Sequence, residues 1–203
     1  MSGAAPTGRA GRLALMARLS TARRAVDLLE RKQRALAVER DRLGLAAARA
    51  AEEFERESGV ASTWLRRSTA LDSQRRIRVS TPSAVTDVTI GYDVTMGVRH
   101  PVRADVRFAP RRDPAGSSAL AYSVQAHRAA LVAGVRLAAA QRSVALVEAE
   151  LTLTRRQQRA LERRWIPELD RRLAVVVQRL DETEREENLR LRWAAARVFR
   201  EDR

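Results

Sequence analysis

Cysteine is absent from this chain of 203 residues, and histidine occurs only twice, at His100 and His127. Without thiols there is no disulfide framework and no thiolate metal site, and two isolated histidines do not make a conventional zinc cluster. Aromatic residues amount to 4%, while nine Gly and six Pro leave little material for turns. Long helices are therefore expected, rather than a compact domain filled with bulky side chains.

Long hydrophobic runs are lacking as well. The longest stretch without a charged residue, residues 114–127, is shorter and more polar than the run of about 20 apolar residues that a membrane-spanning helix needs. No apolar core of a signal peptide is recognisable. We therefore expect a cytoplasmic protein without direct membrane insertion.

Basic residues outnumber acidic ones by 39 to 25, which gives a net charge of +14. Residues 1–50 carry eleven basic and four acidic side chains, whereas elsewhere the two signs are interspersed. Mixed signs are typical of a solvated helix face, which is the favoured interpretation. A polyanion site or a protein partner with an acidic lining are the alternatives. The polyanion site would use the arginines of the acid-free opening: Arg9, Arg12, Arg18, Arg23 and Arg24.

Apolar residues recur with alternating three- and four-residue spacing from about residue 10. Ten of twelve seam positions over nearly six heptads are apolar, which indicates a coiled-coil helix. Gln33 and Arg40 are the polar exceptions. After a flexible N-terminus at 1–9, we predict a helix over 10–78 with a possible kink at Ser58 and Gly59. The apolar seam positions are Leu15, Leu19, Ala22, Val26, Leu29, Leu36, Leu43, Ala47, Ala50 and Phe54.

Residues 79–115 change to a period of two, which predicts a β-hairpin followed by a loop. Apolar residues alternate with polar residues or Gly over 88–98 and again over 102–108. Residues 99–101, which include His100 and a proline, are predicted to form the break between the strands. Because an isolated hairpin is only marginally stable, its apolar face should pack on the helices or on a partner. The loop over 111–118 ends in serines that can cap the next helix.

A second long helix is predicted over 116–200, with a kink or stutter at Pro167. The two helices have matching seams, so the expected fold class is all-α with a small β-hairpin. The N- and C-terminal helices would form a long antiparallel two-helix coiled coil, a slender rod. The C-terminal seam positions are Leu161, Trp165, Leu169, Leu173, Val176 and Leu180.

No residue is predicted to be catalytic, to bind a cofactor or to ligate a metal. Phosphate-binding glycine loops are missing, and neither histidine has a recognisable catalytic partner. Trp64, Trp165 and Trp193 are interpreted as packing residues, because they are not interleaved with a basic groove. One acidic cluster is interpreted as a solvated face paired with Arg179 and Arg185: Asp181, Glu182, Glu184, Glu186 and Glu187.

Three segments together resemble the D subunit of the V-type/A-type rotary ATPases. The first is the opening helix, the second is the hairpin segment MGVRHP at 96–101, and the third lies in the last helix. Ala25, Gln33 and Arg159 depart from the residues usual in that family. The resembling residues of the opening helix are Pro6, Thr7, Leu15, Leu19, Ala22, Arg24, Leu28, Leu29, Lys32 and Leu36. Those of the last helix are RRQQRALE at 155–162, IPEL at 166–169, LDETEREEN at 180–188 and Leu191.

The resemblance implies a non-catalytic shaft of the central stalk, which couples ATP synthesis or hydrolysis to ion translocation by rotation. It also implies the partners: the A and B subunits of the catalytic head, the F subunit of the central stalk and the adaptor of the membrane ring. The protein would be cytoplasmic and peripheral to the membrane, and it would not bind nucleic acid. The gamma subunit of F-type ATP synthases shares the paired terminal helices but has a much larger middle insert, so the short middle region of this chain argues against that family. An Arg-rich coiled-coil protein that binds nucleic acid, or a homo-oligomeric scaffold, is the alternative.

Overall fold

The computed structural model describes residues 8–80, 85–109 and 116–201, with side chains as far as residue 194. The expectation of an all-α chain with a small hairpin is confirmed. The predictions for residues 1–7 and for the loop at 111–115 lie outside the described residues. The elements in chain order are α1 (Gly8–Leu71), α2 (Gln74–Ser80), β1 (Asp87–Thr95), β2 (Val98–Arg107), α3 (Ser118–Ala160), a π-helical segment (Leu161–Trp165) and α4 (Ile166–Glu201).

Helix α1 runs unbroken through Ser58 and Gly59, where the kink stays a prediction. All twelve seam positions, the polar Gln33 and Arg40 included, are buried or half-buried. The helix predicted over 10–78 is interrupted at Asp72 and Ser73, which corrects the expectation of a continuous element. Short polar side chains can hydrogen-bond to nearby backbone groups and so compete with helical hydrogen bonds. The carboxylate of Asp72 accepts hydrogen bonds from Ser117, next to the start of α3.

The described chain divides into two units, of which the first joins residues 1–32 to residues 154–203. Its core is a cluster of apolar seam residues, against which Ile166, Leu173 and Leu180 also pack. Arg9 pairs with Glu184, whereas Arg23, further along α1, pairs with Asp170, which comes earlier in α4. The two helices are therefore antiparallel. The cluster comprises Leu15, Leu19, Ala22, Leu169 and Val176.

The second unit, residues 33–153, pairs the rest of α1 with α3. One core joins Leu36 and Leu43 to Val147 and Leu151, and Arg136 pairs with Glu53. A second core packs Ala61 against Ala126 and Ala130, with Trp64 at its side. Here too the helices are antiparallel. Gly134 lets α3 approach closely, since a Cβ there would lie 3.1 Å from the Phe54 ring.

The hairpin turn lies at Met96 and Gly97, and not at residues 99–101 as the sequence suggested. Both turn residues have positive φ, 51° and 84°, as a two-residue turn of type I′ requires. Pro101 lies inside β2, opposite Tyr92. A proline is tolerated there because each strand of a two-stranded sheet is an edge strand. The alternation of apolar residues predicted the two strands correctly. Treating the proline as a strand breaker led to the wrong position for the turn.

A register shift between Gly91 and Tyr92 leaves Val102 without an opposite residue, as in a β-bulge. On the turn side of the bulge, His100 and Val98 share one face of the sheet and Tyr92 and Val94 share the other. His100 is fully buried, whereas Tyr92 and Val94 are exposed by 50% and 60%. The hairpin therefore packs one face on the helices near its turn and presents the opposite face to solvent.

The π-helical segment precedes Pro167 by one residue. The N–H of Ile166 donates to the carbonyl of Leu161, five residues back, instead of four. Pro167 has no N–H for the carbonyl of Arg163, and its ring would collide with that carbonyl in a regular helix. A wider turn relieves this conflict, so the irregularity expected at Pro167 takes the form of one inserted residue rather than a broken helix.

Candidate interaction surfaces

His100 anchors the hairpin to helix α1 of the second unit. Its side chain is fully buried, and its Nε2 lies 3.2 Å from Oγ1 of Thr95 and 3.9 Å from Oε1 of Glu39. Two hydrogen bonds from Arg42 to Glu39, of 2.9 and 2.6 Å, lower the pKa of Glu39 and keep it ionised. The sequence placed His100 in a turn; instead it lies in β2 and ties that strand to α1.

The grouping of Thr95, His100 and Glu39 does not have the geometry of a nucleophile–base pair. A catalytic histidine contacts its nucleophile through one ring nitrogen and its orienting carboxylate through the other. Here both groups lie at Nε2, whereas Nδ1 lies 3.4 Å from the carbonyl of Pro101. A fully buried ring also offers no access to a substrate. The arrangement holds the hairpin.

Ser143 makes the matching contact from α3. Its hydroxyl donates to the carbonyl of Pro101 and also lies 2.9 Å from the carbonyl of Ala139 on its own helix. Ser143 and Pro101 are both buried. The hairpin is therefore held by both helices of the second unit, by Glu39 on α1 and by Ser143 on α3. The hairpin packs on the helices, but not through the apolar face that the sequence predicted, since Tyr92 and Val94 are exposed.

Asp72 joins the break after α1 to the start of α3. The backbone N–H of Ser117 donates to Oδ1 at 3.0 Å and the Ser117 hydroxyl donates to Oδ2. These bonds lower the pKa of Asp72, whose carboxylate is enclosed. The Ser117 hydroxyl also accepts the N–H of Leu120 and so caps α3, as predicted for the serines of this loop. A Cβ on Gly116 would lie 2.8 Å from Cδ2 of Leu120, so a larger residue there would force the Leu120 side chain to move.

The tryptophans divide between packing and exposure. Trp64 packs as predicted: it lies against the Ala61 cluster and stacks on Tyr122 at 4.8 Å, with the Arg67 guanidinium 4.7 Å from its ring centre. Trp165 and Trp193 are 49% and 75% exposed, so the interpretation of these two as packing residues is wrong. Trp193 lies near the end of the described side chains, whereas Trp165 ends the π-helical segment.

Three of the five arginines of the opening have partners within the chain. Arg9 lies 3.2 Å from Glu184 and Arg23 lies 3.7 Å from Asp170, while Arg24 donates to the hydroxyl of Ser20. The acidic cluster of α4 thus supplies one partner for the opening helix. A second ion pair in this cluster joins Glu186 to Arg190. The partners are Arg9 and Arg190, where Arg179 and Arg185 were expected.

Two further properties concern metals and membranes. Among the side chains of the described segments, no group of three or more His, Asp or Glu residues is placed to hold a metal ion. The helical stretch Ser118–Ala194 contains an 18-residue window that is long and apolar enough to cross a membrane, with a mean hydropathy of 1.4. A membrane-spanning helix was excluded above because only runs without any charged residue were considered. That condition is too strict, because a window with at most two charged residues is long and apolar enough by length and composition.

The exposed face of the hairpin is an apolar surface on the second unit. Tyr92, Val94 and Met96 are each exposed by half or more, and the guanidinium of Arg99 lies 4.4 Å from the ring centre of Tyr92. An apolar patch that ends in a turn and lies opposite the anchored face is typical of a contact surface. The alternation in the sequence pointed to these residues, but not to which face would stay open.

Glu39, Asp72 and Ser143, which fix this geometry, were missed by sequence reasoning, whereas Ser117 was expected as a helix cap but not as a partner of Asp72. Their partners lie about 40 to 60 positions away along the chain, and no local pattern marks them. The resulting class is a helical protein with paired antiparallel helices and a docked hairpin.

The family model that describes the D subunit of ATP synthase matches residues 12–196 of this chain. The chain therefore belongs to the family of ATP synthase D subunits, and the resemblance to the D subunit of the V-type/A-type ATPases is confirmed. No individual curated protein matches it. Membership makes the chain a component of a multi-subunit, membrane-associated ATPase complex.

Proposed function

We propose that this chain is the non-catalytic shaft of the central stalk in a V-type/A-type ATPase. It couples ATP synthesis or hydrolysis in the catalytic head to ion translocation by rotation. The observation that carries this proposal is the family match, which extends over both helical pairs and the hairpin. The shaft works through shape and contact.

The antiparallel pairing inside each unit supports a role in transmitting torque. A turning shaft must resist bending, and two helices packed along a common seam resist it better than one. The seam is apolar at Leu15, Leu19 and Leu169, while ion pairs such as Arg9–Glu184 lie outside it at exposed positions. Exposed ion pairs are individually weak, so the outer surface of the pair can slide past neighbouring proteins of the complex.

The partners we propose are the A and B subunits of the head, the F subunit of the stalk and the adaptor of the membrane ring. The exposed hairpin face with Tyr92 and Val94 is the surface assigned to the F subunit. The protein is cytoplasmic and peripheral. The apolar window within Ser118–Ala194 is assigned to helix packing rather than to membrane insertion, because Ala126, Ala130 and Val147 of α3 belong to the cores with α1.

Co-purification from native membranes tests this function. A tagged full-length chain should recover the A, B and F subunits in a complex whose ATP hydrolysis drives ion movement. The Tyr92→Ala/Val94→Ala variant should lose the F subunit, while its matched control on the opposite strand, Arg103→Ala, should retain it. A wild-type chain that recovers none of these proteins would refute the proposed function.

A further inference from the structure

Trp165 is displaced from the helical seam by the π-helical segment. One inserted residue turns the following side chains by about 100°, so that Ile166, rather than Trp165, packs against the cluster of Leu15 and Leu169. Trp165 is left 49% exposed. A large aromatic side chain held outside its own core by a backbone irregularity is a candidate anchor for a partner, since tryptophan is enriched among the residues that dominate interfaces.

Two depressions meet at Trp165 in the first unit. Leu161 and Trp165 line both of them. The larger has an open volume of about 980 Å³ and an apolar floor that Leu29 and Ala160 complete. The smaller, of about 480 Å³, follows the small side chains of α1. Those side chains are Ala17, Thr21, Ala22 and Ala25, next to Arg18.

The lining of the larger depression is also basic. Arg163, Arg164 and Arg171 belong to it, and Glu168 is its single carboxylate. Arg172 and Arg171 lie 2.7 and 2.8 Å from Glu168. Their positive charges compensate the charge of the carboxylate and lower its pKa. No carboxylate among the described side chains pairs with Arg163 or Arg164. An apolar floor together with arginines is complementary to an apolar side chain flanked by acidic residues.

We propose that Trp165 anchors a docking site for an acidic segment of a catalytic-head protein, the A or the B subunit. An apolar side chain of that segment lies against Trp165 and Leu161, and its carboxylates bind Arg163 and Arg164. This inference rests on the proposed function, in which the A and B subunits of the head are partners of the shaft. A protein segment fits better than a nucleic acid, because binding of single strands uses several aromatic rings along a basic groove, whereas one ring in an apolar depression suits one side chain.

Binding of the full-length chain to a reconstituted head of A and B subunits tests the proposal. Trp165→Ala should raise Kd about 30-fold, the ratio that corresponds to a loss of about 2 kcal/mol at an interface anchor. Trp165→Phe should retain part of the affinity because it keeps an aromatic face. Trp193→Ala is the matched control: it removes the same residue type from an exposed position on α4 and should leave Kd unchanged.

Charge reversal provides a second variant that leaves the indole in place. Arg163→Glu/Arg164→Glu should slow association and reduce its dependence on salt. Arg179→Glu/Arg185→Glu makes the same change in net charge elsewhere on α4 and should do neither. Circular dichroism of every variant verifies that the helices are formed, so that weak binding cannot be ascribed to unfolding.

The outcomes separate this inference from the function on which it rests. If the wild-type chain binds the head and Trp165→Ala binds as tightly as Trp193→Ala, the docking site is refuted while the shaft function stands. If the wild-type chain does not bind the head, both fail. If Trp165→Ala abolishes binding of a single-stranded oligonucleotide and leaves head binding unchanged, the site belongs to nucleic acid and the assignment to a protein segment is overturned.

Discussion

Asp72 shows how one carboxylate can tie together helices that are far apart in sequence. Hydrogen bonds from Ser117 hold the pKa of Asp72 below its usual range, so the ionised form stabilises the folded chain. For a carboxyl whose pKa is lowered by folding, this stabilisation is complete above the unfolded value of about 3.9 and is lost as the pH falls through the lower folded value. The contact should therefore be lost only in acid.

The variant Asp72→Asn tests this contact, since it keeps the shape of the side chain and removes its charge. We expect a lower free energy of unfolding at neutral pH and a difference from wild type that shrinks below about pH 4. Urea unfolding at a series of pH values measures both. Asp105→Asn, at a half-exposed carboxylate paired with Arg103, is the control and should change stability little. A deficit for Asp72→Asn that is the same at every pH would contradict the role of its charge.

At the scale of the element, two glycines with open surroundings should respond in opposite ways. Gly97 has φ +84° in the hairpin turn, whereas Gly44 lies inside α1, and a Cβ at either position would meet no atom within 4 Å. Gly97→Ala should cost about 1–2 kcal/mol, because L-residues are strained at positive φ. Gly44→Ala should stabilise by about 1 kcal/mol through helix propensity. Thermal unfolding of the two variants measures the signs, and a shift in the same direction for both would be inconsistent with this assignment of the turn.

The elements themselves could be predicted because their signals are local. The heptad spacing from Leu15 to Phe54 identified a buried face that the structure retains at every position. The alternation over 88–98 and 102–108 identified two strands. Pro101 led to a misplaced turn, since a breaker in the sequence says nothing about whether its strand is an edge strand. Trp165 was placed in the seam because spacing alone does not reveal an inserted π-helical residue.

At the scale of the whole molecule, net charge is the property that sequence reasoning uses least well. The 39 basic residues behind the net charge of +14 include cations that folding pairs with acidic residues, such as Arg9 with Glu184 and Arg23 with Asp170. These pairs join residues more than 140 positions apart, and they become visible only once the ends of the chain are packed together in one unit. Arg163 and Arg164, which pair with no carboxylate of the described segments, carry more information about a partner than the total does.

The pairing of the chain's two ends within one molecule can be tested directly, because the chain has no cysteine of its own. Cysteines introduced at Arg23 and Asp170, whose side chains lie 3.7 Å apart, should be joined by a short bismaleimide into a cross-linked monomer. The control pair at Arg23 and Glu184 should not react together, since fourteen helical residues separate Glu184 from Asp170 by about 21 Å. Mass analysis then distinguishes the two origins of a cross-link. A product of twice the chain mass would mean that the seams pair between molecules, as in a homo-oligomeric scaffold, and would contradict a single-chain helical pair.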